Sequence, residues 1–99
     1  MNYNDIHFFI NSFDLKCKDN IEFQEVYNEI LFKVIKQYPN EVLKIISKTG
    51  KERKSLIFNE LSNSILDTDI NSIIKSLDNV KGYENLKKSI IEELQKNEL

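Results

Sequence analysis

Residues 20 to 39 read NIEFQEVYNEILFKVIKQYP, opening at Asn20 and closing at Pro39. Phe23, Val26, Tyr27, Ile30, Leu31, Val34, Ile35 and Tyr38 recur at spacings of three and four, which places them on one face of a helix. Asn20 is suited to cap its start, and Pro39 disfavours helical geometry at Tyr38 and so ends it. The opposite face carries Glu22, Glu25, Glu29, Lys33 and Lys36, with Glu29 and Lys33 in the favourable i to i+4 order. A helix with so broad an apolar stripe must bury it against other helices, so the rest of the chain has to supply matching faces.

It does so on both sides. Upstream, Ile6, Phe9, Ile10 and Phe13 predict a short amphipathic helix over residues 5 to 14 behind the cap candidate Asn4. Downstream, a third helix begins at Pro39 or Asn40, turns Val42, Leu43, Ile45 and Ile46 inward, and is expected to close at Thr49-Gly50 with glycine in the left-handed conformation. A fourth runs from Glu52 to Ile65 with Leu56, Ile57, Leu61 and Ile65 inward. A fifth follows the cap candidates Asp67-Thr68-Asp69, carries Ile70, Ile73, Ile74 and Leu77, and closes at Lys81-Gly82. A sixth spans Tyr83 to Lys96 with Leu86, Ile90, Ile91 and Leu94 inward. No segment sustains the period-two alternation of a strand.

The expected fold is therefore all-α, a single domain over residues 1–99 built as a compact bundle of about six helices. A second arrangement is open at this level. The sets Ile6/Phe9/Ile10, Val42/Ile45/Ile46 and Ile70/Ile73/Ile74 share one spacing, and Ile57/Leu61/Ile65 echoes Leu86/Ile90/Leu94, so three stacked helical hairpins would form a short α-solenoid-like array.

Composition narrows the chemistry. Ninety-nine residues with 40% hydrophobic and 30% charged side chains suit one packed core rather than disorder. One cysteine, Cys17, excludes an internal disulfide; with a single histidine, His7, there is no Cys/His set for zinc, and two glycines cannot form a phosphate-cradling loop. His7 has Asp5 and Asp14 nearby but no nucleophile in a recognisable pattern. Cys17, between Lys16 and Lys18, sits where cations favour the thiolate, yet a structural or incidental thiol is the much better account of it. The pairs Glu92-Glu93 and Asp67/Asp69 read as a solvated face and caps, since nothing nearby desolvates them. The expectation is a protein without enzymatic activity, cofactor or metal. The N-terminus lacks a basic region before its apolar run, and no apolar run exceeds three residues, against the roughly 18 needed to cross a bilayer. A cytoplasmic protein that does not engage a membrane is expected. Fourteen Ile, 13 Lys and 12 Asn with no Ala match an AT-rich bacterial or phage genome.

Charge is unevenly spread along the chain. Residues 1–32 carry six acids and two lysines, residues 33–66 seven bases and three acids, and residues 67–99 seven acids and five lysines, which recovers the net charge of -2. The acidic candidates for partner binding are Glu22, Glu25 and Glu29, with Asp14 and Asp19 at the edge. Asp19 and Glu22 also complement the helix dipole, but Glu25 and Glu29 lie beyond its first turn. Lys48, Lys51, Arg53 and Lys54 surround the turn at Gly50, and three of them crowd a helix start where cations are disfavoured.

In size, acidity, helical pattern and segregated charge the chain resembles the small helical immunity proteins of bacterial contact-dependent growth inhibition and related polymorphic-toxin systems. That resemblance implies an antitoxin-like protein that neutralises a cognate toxin, in many cases a basic nuclease, by docking over its active site. Electrostatic complementarity would speed the encounter and aromatic anchors would supply affinity. The alternative is a nucleic-acid-binding regulator: residues 40–47, the turn and the next helix have a helix-turn-helix outline, with Lys51, Arg53, Lys54 and Asn59 placed for phosphates and base edges. Glu52, Glu60 and the acidic pI oppose it. Phe8, Phe32 and Phe58 fall off the main stripes, as core or as docking patch.

Overall fold

A computed structural model describes residues 2–12, 21–64 and 69–98, with the side chains of Ile21 and Glu98 excepted. Within them the chain forms six α-helices and no strand: α1 (Tyr3–Asn11), α2 (Ile21–Gln37), α3 (Pro39–Ser47), α4 (Lys51–Leu61), α5 (Ile70–Asp78) and α6 (Glu84–Gln95), the last running into a 3-10 turn, Lys96–Glu98. The all-α bundle expected from the periodicity is the fold observed.

Local chemistry sets most of the boundaries. α1 begins two residues earlier than its periodicity suggested, because Asn2 rather than Asn4 is the cap: its side chain accepts from the Asp5 amide at 2.9 Å in a capping box. Pro39 separates α2 from α3 as expected, taking the first position of α3. Gly50 is not a left-handed cap. Its φ of -61° is ordinary, and it stands instead at the N-cap of α4. α4 stops at Leu61, short of Ile65, because other groups take its last carbonyls. Asn97 donates to the Leu61 carbonyl at 2.7 Å, and Asn28 donates to the Glu60 carbonyl at 3.1 Å. Asp69 caps α5 by accepting from the Ser72 amide. α5 ends at Asp78, and the left-handed residues come later, in the turn into α6: Gly82 (φ 95°) and Tyr83 (φ 55°). The cap candidates Asn20, Asp67 and Thr68 and the apolar Phe13 and Ile65 lie outside the described residues.

The most extensive packing joins helices that are not consecutive in the chain. α2 lies most extensively against α5, α1 against α3, and α4 against α6; of the consecutive helices, α5 packs on α6 and α2 on α3. In stacked hairpins the two helices of each hairpin would be the closest partners. The chain is thus the compact bundle, with one side of α2 packed against α3, α4 and α5. The radius of gyration of 12.4 Å suits a single globule of this length, for which about 13 Å is typical. The core is Ile6, Ile10, Tyr27, Leu31, Phe32, Val34, Ile35, the four inward residues of α3, Leu56, Ile57, Leu61, Ile70, Ile73, Leu77, Ile90 and Leu94. Phe32 joins it and Phe58 packs at its edge, whereas Phe8 is exposed. Val26, placed on the apolar stripe by its spacing, is 56% exposed, because the buried arc of α2 is rotated toward Asn28 and Phe32 by its contacts with α4.

Candidate functional site

Because the inward side of α2 is committed to the core, its outward side is rigidly presented. Glu22 and Glu25 are exposed there, and Glu29 is half-exposed in an ion pair with Lys33 at 3.1 Å. Asp14 and Asp19 lie outside the described residues. Residues 2–12 and 21–32 hold Asp5, Glu22, Glu25 and Glu29 but no lysine or arginine. The ion pair at Glu29 is exposed and worth about 0.3–0.5 kcal/mol, so it restrains that carboxylate only weakly.

α1 meets the core side of α2 through aromatic contacts. The Phe9 and Tyr27 rings stack at 4.7 Å, Phe23 lies 6.2 Å from Tyr27, and the Tyr27 hydroxyl donates to the Ile10 carbonyl at 3.0 Å. The buried hydroxyl thus has its acceptor, and the α1–α2 join is fixed by both stacking and a hydrogen bond.

Two of the bases in the middle of the chain are partly covered by the fold, while Lys44, Lys48 and Lys51 stay exposed. Arg53 is half-buried, its guanidinium donating to Asn11 Oδ1 at 3.5 Å, and Lys54 is half-buried as well. Lys44 sits 5.2 Å above the Tyr3 ring. Lys51 and Asn59 are exposed, although the Asn59 carbonyl accepts from Ser62 and Asn63. α3 packs chiefly on α1 and α2, and α4 chiefly on α6. A helix-turn-helix instead pairs its two helices closely and leaves the second free. Folding therefore leaves the acidic first half of the outward face of α2 exposed, ahead of Lys33 and Lys36, and half-buries Arg53 and Lys54 of the basic segment.

Two polar features have no counterpart in the sequence reading. Asn28 is 1% exposed and its amide donates to the Glu60 carbonyl, to Glu60 Oε2 at 2.8 Å and to the Asn63 carbonyl at 3.0 Å, tying α2 to the end of α4. Burial raises the Glu60 pKa, and the Asn28 hydrogen bond partly offsets this. Lys87 is buried, with Nζ donating to the Val80 carbonyl at 2.5 Å and 3.3 Å from Glu84. A cleft of about 380 Å³ lies beside it, lined by Asp78, Glu84, Lys88, Ile91, Glu92 and Gln95. Lys87 already has its partners, so the cleft reads as the side of a braced turn. Neither feature had a local signal: both depend on carbonyls brought in by tertiary packing.

Among the described residues no three metal-ligating side chains come together, and no helix is long and apolar enough to cross a membrane. Compared with family models, curated proteins and solved structures, the chain matches none.

Proposed function

We propose that this chain is an immunity protein, a cytoplasmic bacterial inhibitor that binds a cognate protein toxin and blocks its active site. The observation that carries the reading is the outward face of α2. Glu22 and Glu25 stand exposed, with Glu29 beside them, on a helix whose other side is core, and no cation precedes Lys33 in the described parts of α1 and α2. Such a surface suits a basic partner such as a nuclease domain. Opposite charge accelerates encounter and disfavours acidic competitors, and a surface fixed by a buried helix loses little conformational freedom on binding. The function requires no cofactor from this chain, since inhibition by occlusion is a matter of shape and charge.

The test is co-purification. The tagged chain is expressed with the catalytically inactivated product of the adjacent gene, treated with nuclease and washed across a salt series. A stoichiometric protein partner that survives nuclease treatment supports the proposal. Recovery of nucleic acid that is lost in modest salt, and abolished by Arg53→Ala with Lys54→Ala, overturns it in favour of a regulator.

A further inference from the structure

A helix leaves its last carbonyls without amides from a further turn, and they must find other donors. At the end of α4 these carbonyls belong to Phe58, Asn59, Glu60 and Leu61, and all four are taken. The Ser62 amide donates to Phe58, and the Ser62 hydroxyl and Asn63 side chain donate to Asn59 at 2.9 and 2.8 Å. The Asn63 amide and the Asn28 side chain donate to Glu60, each at 3.1 Å, and Asn97 donates to Leu61 at 2.7 Å. Asn97 does more than cap. Its Oδ1 accepts from the Ser64 amide at 2.7 Å, and its Nδ2 also donates to the Leu94 carbonyl at 2.9 Å. One side chain from the turn after α6 thus holds both an acceptor and a donor of the α4 end.

The groups so taken are the ones with which the helix would go on. A continuing α4 would pair the Ser64 amide with the Glu60 carbonyl and the Asn63 amide with the Asn59 carbonyl, each four residues back. Here Asn97 has the Ser64 amide, the side chain of Asn63 has the Asn59 carbonyl, and Asn28 lies on the Glu60 carbonyl. The sequence pulls both ways. Ile57, Leu61 and Ile65 keep helical spacing across this point, whereas Ser62, Asn63 and Ser64 favour caps over helix interiors. Two hydrogen-bonding arrangements therefore compete for residues 62–64, and Asn97 decides between them. Asn97 itself stands in a three-residue 3-10 turn, Lys96–Glu98, whose hydrogen-bond geometry is poorer than that of the α-helix it follows.

We propose that the turn at Lys96–Glu98 is a strap that sets the length of α4. Closed, as in this structure, Asn97 holds residues 62–64 out of the helix. Open, it yields the Ser64 amide to the Glu60 carbonyl, and α4 continues through Ser64. The change reaches α2, because Asn63 turns into the helix and its carbonyl leaves Asn28. The strap is independent of the inhibitor reading and is tested without a partner. Isotope-labelled parent, Asn97→Ala and Asn63→Ala proteins are compared by NMR. In Asn97→Ala the backbone shifts of residues 62–64 are expected to move to helical values, and the side-chain amide signals of Asn28 to move with them. In the parent, relaxation dispersion should find residues 62–64 and 96–98 exchanging at one rate, on the μs–ms timescale of local opening, toward a minor state with helical shifts at 62–64. Asn63→Ala, at an exposed position, returns the Asn59 carbonyl to the backbone and should enlarge that minor state severalfold. The parent and Asn63→Ala measurements decide the matter even if Asn97→Ala does not fold. Coil or parent-like shifts at residues 62–64 in a folded Asn97→Ala overturn the strap. So do unrelated exchange rates in the two segments, or a minor state indifferent to Asn63→Ala.

Discussion

The Glu60 carboxyl shows how one buried contact ties stability to pH. Burial holds its pKa above the ordinary 4.5, so the folded chain retains this proton more tightly than the unfolded one. Its contribution to stability is accordingly most favourable below the ordinary value and declines as pH rises through the elevated one. Glu60→Gln keeps an oxygen that can accept from Asn28 and removes the charge. The expected outcome is a flatter stability profile, with stability at neutral pH equal to or above that of the parent, read by urea unfolding from acid to neutral pH. Asn28→Ala strips the donor from three acceptors and should cost about 1–3 kcal/mol. It also removes the interaction that lowers the Glu60 pKa, so the decline with pH should shift further upward. If chemical denaturation finds the two substitutions additive, the coupling between these side chains is refuted. Nothing around Asn28 in the sequence marks it. It sits beside Tyr27 on the edge of an apolar stripe, and its importance comes from residues 60 and 63, which only the fold brings near.

At the scale of elements, the two glycines make opposite predictions from the same substitution. Gly50 has an ordinary φ of -61°, and an added Cβ would meet nothing within 4 Å. Gly50→Ala should be close to neutral, because the modest loss at an N-cap is offset by the smaller entropy of the unfolded chain. Gly82 also has open space but a φ of 95°, and Gly82→Ala should cost about 1 kcal/mol through backbone strain alone. Thermal melts of the two variants distinguish the cases. Tyr83 follows Gly82 in the left-handed region, and Lys87 clasps the turn by donating to the Val80 carbonyl. The apolar periodicity identified each helix because burial and period are directly linked. Boundaries were legible where a local signal acts, as at Pro39 and Asp69. They were missed where side chains from distant segments act, as at the end of α4, where Asn97 and Asn28 take the final carbonyls. The placement of Val26 failed for a related reason: α2 has neighbours on several sides, and the direction in which its buried arc widens depends on where α4 lies.

For the whole molecule, the acidic surface should govern the rate of association more than stability. Glu25→Lys with Glu29→Lys is expected to slow association with a captured basic partner by about tenfold at low salt. The stability change should remain within about 0.5 kcal/mol, since both positions face outward. Stopped-flow kinetics at several salt concentrations, with a chemical melt beside them, provides the check; an unchanged on-rate removes these residues from the binding surface. The outward exposure of Glu22 and Glu25 was readable in the sequence because most of the apolar residues of α2 lie on its other side, whereas Asp14 and Asp19 lie outside the described residues. The basic candidates were harder to read because their fate depends on other helices, as with Arg53 beside Asn11 and Lys44 over Tyr3. The long sequence separation between α2 and its main partner bears also on synthesis. α2 meets its main partner only when α5, beginning at Ile70, has been made. A nascent chain ending after α4 would therefore carry the stripe of Leu31, Val34 and Ile35 still awaiting part of its cover. Folding should then be a single late event after emergence from the ribosome, with no stable hairpin-by-hairpin intermediate, and protease treatment of arrested chains should find little protection until residues beyond α5 have cleared the exit tunnel.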